Sequence, residues 1–583
     1  MMLPGANQPN TTMLVLECGL AGLAIASAFA FPGLGGGLFR RIERVFARLA
    51  QRRGVSVVVV GLSVILLRLA ILPLYPVPLP FAPDDFSFLL AADTFAHGRL
   101  TNATPAMWTH LESIHITMLP TYQSMYFPGQ GLLLAASKAV FGNPWIGLLL
   151  VSALMCAAIC WMLQAWMPAN WALLGGFIAV IRLGVFSYWT NTYHAGGSLC
   201  ALSGALVLGS LPRLMKTHRL RYAWLMGVGM ATLAITRPYD GCLLCLPVTV
   251  ALIHWAWKGK KRPRPVVLAR LTAAVLAPLI VAVAWMAYYD DRAFGNPLTP
   301  PYAVNRATYA IAPYFVWQQP KPEPAYRHAA IRSFYEKAKG EMGFYTQIHS
   351  LKGFIPRTFE KVAFTFLFYA GFALLIPLLM ARRVFLDRRM RFLTLSMLVL
   401  AAGMVIEIYL LAHYVSPYTA AFYAIGLQMM RHLRVWKPEG KPAGLAMARF
   451  AVTVCVLMAG LRLCAQPLDI AAPEWPPSNW NFTWYGPEHY GEERAQIEKR
   501  LEQTPGGQLA IVRYGSDHNP LDEWVYNGAD IDGSKVVWAR EMGAEDNREL
   551  IHYYGNRQVW LVEPDAIPAR ITPYPMTEET AGK

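Results

Sequence analysis

The chain reads as an α-helical polytopic membrane protein of about twelve spans with a small C-terminal α/β domain outside the cytoplasm. Three observations predict this. Hydrophobic residues make up 55% of the 583 and charged residues only 15%, against about 25% charged in ordinary soluble domains. Apolar runs long enough to cross a bilayer recur from residue 12 to residue 464. Past residue 465 those runs stop and the composition turns acidic. The same figures exclude a disordered chain, a disulfide-dense secreted domain and a transmembrane β-barrel, whose strands are short and alternating.

Runs near 12–34, 55–75, 145–166, 171–188, 195–212, 271–289, 362–381, 392–411 and 443–464 fall in the range of about 17 to 25 residues that spans a bilayer. Three shorter runs, near 223–237, 241–257 and 418–431, need neighbours or a thinner bilayer to cross. The first run carries Glu17 but lacks the small-residue cleavage site of a signal peptide, so it reads as a true span.

Sides follow from the bases. Segments 40–53, 213–221, 258–270, 382–391 and 431–441 together hold 25 of the 52 Lys and Arg residues, and positive charge in short loops faces the cytoplasm. The net charge of +16 is therefore mostly a topology signal and not a nucleic-acid surface. The stretch 131–141 is about eleven residues, or roughly 16 Å of helix, too short to span, and is expected to lie half-inserted. Both termini then face outward, as do the loops 78–129 and 290–361.

Three regions result: 1–54, a first span with a basic cytoplasmic segment; 55–464, the main transmembrane domain; and 465–583, an acidic outside domain with 20 Asp and Glu against 10 Lys and Arg. The last reads as a helix over Glu492–Gln503, strands over 508–514, 535–540 and 558–563, and a helix near 547–554. Its strands are β-branched and apolar, bounded by Gly, Asp and Pro. All eight cysteines lie in or beside apolar runs, which supports neither a disulfide framework nor a zinc knuckle. Cys242 and Cys245 read as helix-packing residues.

Chemistry is sought among polar residues near the outer face. Asp84 and Asp85 open the first outside loop directly after the second span. Adjacent carboxylates repel, which raises one pKa and suits a general base or a divalent-cation ligand. A solvated helix N-cap is the plainer reading. The segment Tyr122–Gln130 is an aromatic loop with a Pro-Gly turn, an interfacial anchor or a stacking surface for a sugar or lipid. Tyr193 and His194 lie at the outer junction of two spans, and Arg237 and Asp240 lie between two short apolar segments. Charge placed there marks a site or a buried ion pair. Arg182, in mid-span, would snorkel or face the same cavity. His413 and Tyr414 sit at the outer end of the run 392–411; His413 could donate to a phosphate or be a polar helix end. No P-loop, HExxH, Ser elbow or paired CxxC occurs.

Together these features resemble the GT-C superfamily of integral-membrane glycosyltransferases, which includes protein O-mannosyltransferases and lipid A aminoarabinose transferases. The resemblance covers about residues 55–465. It rests on the acidic pair Asp84-Asp85 after an early span, and on Tyr126-Phe127-Pro128-Gly129 before a short helix. It also rests on His413-Tyr414-Val415-Ser416-Pro417, where the family often carries Arg-Tyr-x-x-Pro; the stretch from Asp84 to Leu100 with Arg237–Gly241 looks like an uncharacterised bacterial branch. The resemblance implies a polyprenyl-phosphate sugar donor, a glycan, lipid or protein acceptor, inversion at the anomeric carbon and a bacterial inner-membrane location with the C-terminal domain in the periplasm. Asp84 is then the base, Asp85 orients it or binds a divalent metal, and Arg237 with His413 takes the phosphate. Two other classes fit the same twelve spans: a lipid or solute transporter, although no internal repeat is visible, and a non-catalytic scaffold whose tail binds partners.

Overall fold

The computed structural model describes residues 11–194, 196–259, 262–336, 340–465, 484–485 and 491–575. Among the described residues, seven helices are long and apolar enough to cross a membrane: Thr12–Ala30, Arg53–Ala70, Pro144–Trp166, Gly197–Thr217, Pro238–Lys258, Pro265–Phe294 and Ala443–Cys464. The pair Leu351–Tyr369 and Ala373–Phe385, bent by 112°, makes an eighth if taken as one span. Ala169–Val185 and Arg391–Ile406 are apolar but shorter. About twelve spans were expected, and the difference lies in these short helices. Leu220–Ala234 has 15 residues, roughly 22 Å of rise, so it falls short of the bilayer core.

Prolines and glycines explain where the runs stop. The second span ends at Ala70, because Pro73, Pro76, Pro78 and Pro80 follow and cannot continue a helix. Pro238 occupies the first turn of its helix, where its missing N–H costs nothing. The run at 241–257, expected to be short, thus gains a full 21-residue helix. The run at 362–381 is not continuous. It breaks at Gly371, whose φ of +55° favours glycine, and a Cβ there would collide with the Glu17 carboxylate.

Glu17 therefore sits inside the assembly. Its carboxylate lies 3.6 Å from Arg182, and both side chains are fully buried. Tyr485 donates its hydroxyl to Glu17 at 2.7 Å, and the Arg182 guanidinium lies 4.7 Å over the Trp484 ring. Arg182 consequently neither snorkels nor joins the outer polar residues, contrary to the sequence reading. An unpaired charge at this depth would be expensive, and pairing with Glu17 is what allows both to remain.

Between the first two spans, Gly36–Gln51 forms an amphipathic helix. It leaves Leu38, Ile42 and Val45 exposed, with Arg40, Arg41, Arg44 and Arg48 beside them. The short helix Pro128–Phe141 packs on the helix Pro83–Ala96. A Cβ at Gly131 would lie 2.7 Å from the Ala91 Cβ, so the approach is close.

The C-terminal part folds around a four-stranded sheet. In spatial order the strands are Val536–Arg540, Gly507–Val512, Arg557–Glu563 and Arg570–Pro573. The first three pair in parallel and the last is antiparallel. Helices Glu492–Gln503 and Ala544–Tyr553 accompany it. One face of the sheet shares an apolar core with the first outside loop: Leu509, Ile511 and Tyr526 pack with Phe86, Leu90, Ile116 and Tyr122.

Replacing Glu17 by Leu leaves the Arg182 charge uncompensated, which costs about 3–5 kcal/mol by analogy with broken buried pairs. The melting temperature in detergent should fall. The double variant Glu17→Leu/Arg182→Leu should recover much of that loss, and no recovery would show that the pair is not what stabilises this region.

Candidate functional site

The helix Pro83–Ala96 starts from Ala82 in an extended conformation, φ −86° and ψ 150°. Alanine has no side chain to satisfy the free N–H groups at a helix start. Asp85 supplies the acceptor: its Oδ2 takes the backbone N–H of Phe81 and of Ala82, each at 3.3 Å. Asp85 is fully buried. Burial pushes its carboxyl up to about 7, helped by the charge of Asp84 and opposed by those N–H groups. Asp85 is thus the cap of its own helix.

Asp84 faces the other way, into a cluster of donors. Tyr126 donates its hydroxyl to Oδ1, and Oδ2 lies 3.6 Å from His115 Nδ1 and 3.5 Å from His194 Nδ1. Burial works to raise the Asp84 carboxyl, but the two imidazoles and the Tyr126 hydroxyl hold it well below the usual carboxylate range. His194 is held below the ordinary imidazole range by burial, against the pull of Asp84. The carboxylate therefore stays ionised next to a buried imidazole that prefers its neutral form.

Local structure explains the placement. The loop after Leu111 forms a two-stranded hairpin, Ile116–Thr117 against Gln123–Ser124. His115, at its start, has φ +62°, a left-handed conformation unusual outside glycine. Its carbonyl accepts the Ser87 hydroxyl at 2.7 Å and the Met125 N–H at 3.1 Å. Its Nδ1 is 3.0 Å from the Tyr126 hydroxyl, and the Tyr126 ring stacks on Phe88 with centroids 4.4 Å apart. A strained residue over-determined by its neighbours is a mark of functional sites.

The remaining polar residues continue from there. His194 and His413 have ring centroids 5.1 Å apart, and His413 Nδ1 is 2.9 Å from the Tyr188 hydroxyl. Burial and the charge of Arg237 hold His413 well below the imidazole range, so it offers an N–H and no charge. The Arg237 guanidinium lies 4.0 Å over the Tyr414 ring and forms an ion pair with Asp240. Tyr302 stands between, its ring centroid 5.4 Å from that of Tyr126.

The structure thus brings Asp84, His194, His413, Tyr414, Arg237 and Asp240 together. Asp85 and Tyr193 are not in the cluster: Asp85 caps its helix, and Tyr193 donates its hydroxyl to the Pro78 carbonyl at 3.3 Å. His115 and Tyr302 were not singled out by the sequence, and Tyr188 only as the start of the junction 188–194. Tyr126 was visible only as part of an aromatic loop. Asp85 turns its Oδ2 to its own backbone. Among the described residues no group of three His, Cys, Asp or Glu side chains is placed to hold an ion.

Beside the cluster, an apolar cavity of about 600 Å³ runs between the helices Leu220–Ala234, Pro238–Lys258 and Pro265–Phe294. Pro238 and Gly241, next to Arg237, form one end, and Leu214 and Trp255 line the other.

Asp85 titrates with a definite sign. Its folded pKa lies above the unfolded value, so between about pH 4 and about pH 7 the folded state keeps a proton that the unfolded chain has lost. Stability should fall as pH rises through that window, by at most about 1.4 kcal/mol per pH unit. In Asp85→Asn the fall should flatten, read as the melting temperature against pH; an unchanged profile would remove Asp85 as its source.

No protein-family model matches the chain, and no curated protein matches it. Among solved structures it is similar to an Archaeoglobus fulgidus oligosaccharyltransferase tethered with an acceptor peptide containing the NVT sequon. The identity is 11% and the TM-score 0.43, over 88% of this chain and 68% of that one. The same enzyme in complex with Zn and sulfate gives 11% and 0.43, over 87% and 67%. In complex with an inhibitory peptide and a dolichol-phosphate it gives 11% identity and a TM-score of 0.43. A TM-score below one half leaves the functional reading to this chain's own residues.

Proposed function

We propose that the protein is a membrane glycosyltransferase of the GT-C type, moving a sugar from a polyprenyl-phosphate donor to a hydroxyl acceptor outside the cytoplasm. The observation that carries this reading is the meeting of one ionised, partly accessible carboxylate with a cation and two imidazoles at one end of an apolar cavity. The Asp84 side chain keeps 18% exposure, which leaves a face for an acceptor.

The lipid tail would occupy the cavity below Pro238, and the phosphate would lie at Arg237 with an N–H from His413. The acceptor hydroxyl would approach Asp84. As its oxygen bonds to the anomeric carbon, the bond from that carbon to the phosphate oxygen breaks, and the polyprenyl phosphate leaves. The hydroxyl proton passes to the Asp84 carboxylate, with His194 and His115 in contact to carry it onward. One displacement inverts the anomeric centre. A phosphate leaves readily, so the main demands are a base for the hydroxyl and positive charge for the leaving group. Arg237 already balances Asp240; that pairing fixes the guanidinium against the Tyr414 ring instead of leaving it free to rotate. In this reading the cluster faces the periplasm of a bacterial inner membrane, as does the C-terminal domain.

Asp84→Asn removes the proton acceptor while keeping size and hydrogen-bonding capacity. Transfer from a polyprenyl-phosphate sugar should fall by about 10²-fold or more, with membrane insertion and yield unchanged. Full activity in that variant removes Asp84 from the base role and favours the transporter or scaffold readings.

A further inference from the structure

Among the side chains by which the C-terminal sheet domain approaches the cluster is Tyr526. Its ring stacks flat on Phe86, with centroids 4.2 Å apart and an interplanar angle of 8°. Phe86 is two residues after Asp84 on the same helix. On that ring also rests the Arg494 guanidinium, 4.7 Å from its centroid, itself held by the carbonyls of Trp524 at 3.1 Å and Tyr526 at 3.3 Å. The Tyr526 hydroxyl donates to the Ile114 carbonyl at 3.0 Å. Ile114 precedes His115, the left-handed residue whose imidazole lies 3.6 Å from Asp84. A single buried phenol thus holds the Asp84 helix with its face and the His115 backbone with its edge.

Flanking contacts tie the same two segments to the same domain. The Ala529 N–H donates to Asp93 at 2.7 Å, and the Tyr122 hydroxyl donates to the Asn527 carbonyl at 2.9 Å. Arg540 donates to the Glu112 carbonyl at 2.7 Å. These contacts set the docking, and Tyr526 itself touches both the helix of Asp84 and the residue before His115. A left-handed histidine is retained only where its surroundings over-determine it, and the Tyr526 hydroxyl is one of the bonds that do so.

We propose that Tyr526 is a positioning residue that sets the separation of Asp84 and His115, which makes the C-terminal domain a built-in part of the outer site. The importance of that separation for catalysis rests on the transferase reading above; the positioning itself does not.

The test uses the full-length protein in lipid nanodiscs with isotope-labelled histidine, the His115 ring resonance being identified by its loss in His115→Gln. Tyr526→Phe keeps the stack on Phe86 and removes only the hydroxyl. It should shift the His115 ring resonance by more than a linewidth, while the melting temperature changes by no more than about 4 °C. Tyr554→Phe is the control: its hydroxyl bonds to Asp532 at 2.9 Å within the same domain, and it should leave His115 unchanged. The inference is overturned if Tyr526→Phe leaves the His115 resonance in place, or if Tyr554→Phe moves it as far. Because this readout needs no sugar donor, a fully active Asp84→Asn would sink the transferase reading and leave the Tyr526 result standing.

Discussion

A carboxylate withdrawn from water keeps its charge only where donors reach it, and the elements around Asp84 are arranged to meet that condition. The hairpin after His115 exists at a place that lets one imidazole and one phenol turn toward the carboxylate. The short helix Tyr188–Asn191 and the segment around His413 complete the ring from the other side. Remove the charge and these elements have no common target. Desolvation penalises a lone ion by several kcal/mol, so convergence of polar side chains from the outer loop and from distant helices is needed for the charge to persist.

The same condition separates two residues that are chemically identical. Asp84 and Asp85 share composition and neighbourhood, and on the page of the sequence either could be base, cap or ligand. Their division of labour comes from Ala82, which cannot cap a helix, and from the backbone N–H groups of Phe81 and Ala82 that recruit Asp85. Once Asp85 turns inward, the helical geometry sends Asp84 to a different side. A solvated cap was the plain expectation; Asp85 does accept from the backbone at its helix start but is fully buried, while Asp84 faces the donor cluster.

What was legible followed what is local. In the C-terminal domain the helix Glu492–Gln503 has the ends its residues announce, and the strands agree within two residues, because β-branched alternation bounded by Gly and Pro is a short-range signal. The edge strand Arg570–Pro573 was missed; four residues ending in proline carry almost no periodicity. Apolar runs marked the helices well but not their lengths; the break at Gly371 lies against Glu17, far away in sequence. Arg237, His194 and His413 stood out as polar residues in apolar surroundings. His115 did not, because what makes it notable is a backbone angle and a partner, neither of which a lone histidine in a loop displays.

The pairing of Glu17 has a consequence for how the protein is made. Its partners arrive in sequence order: Arg182 first, then the Ala373 N–H, and at the very end the Tyr485 hydroxyl. The opening helix therefore enters the bilayer carrying an acid whose last companion leaves the ribosome about a hundred residues before the C-terminus. Until then it is an unfinished socket. It closes once residue 485 is made, so the first helix waits for the segment after the helix Ala443–Cys464 and not for the sheet domain that follows.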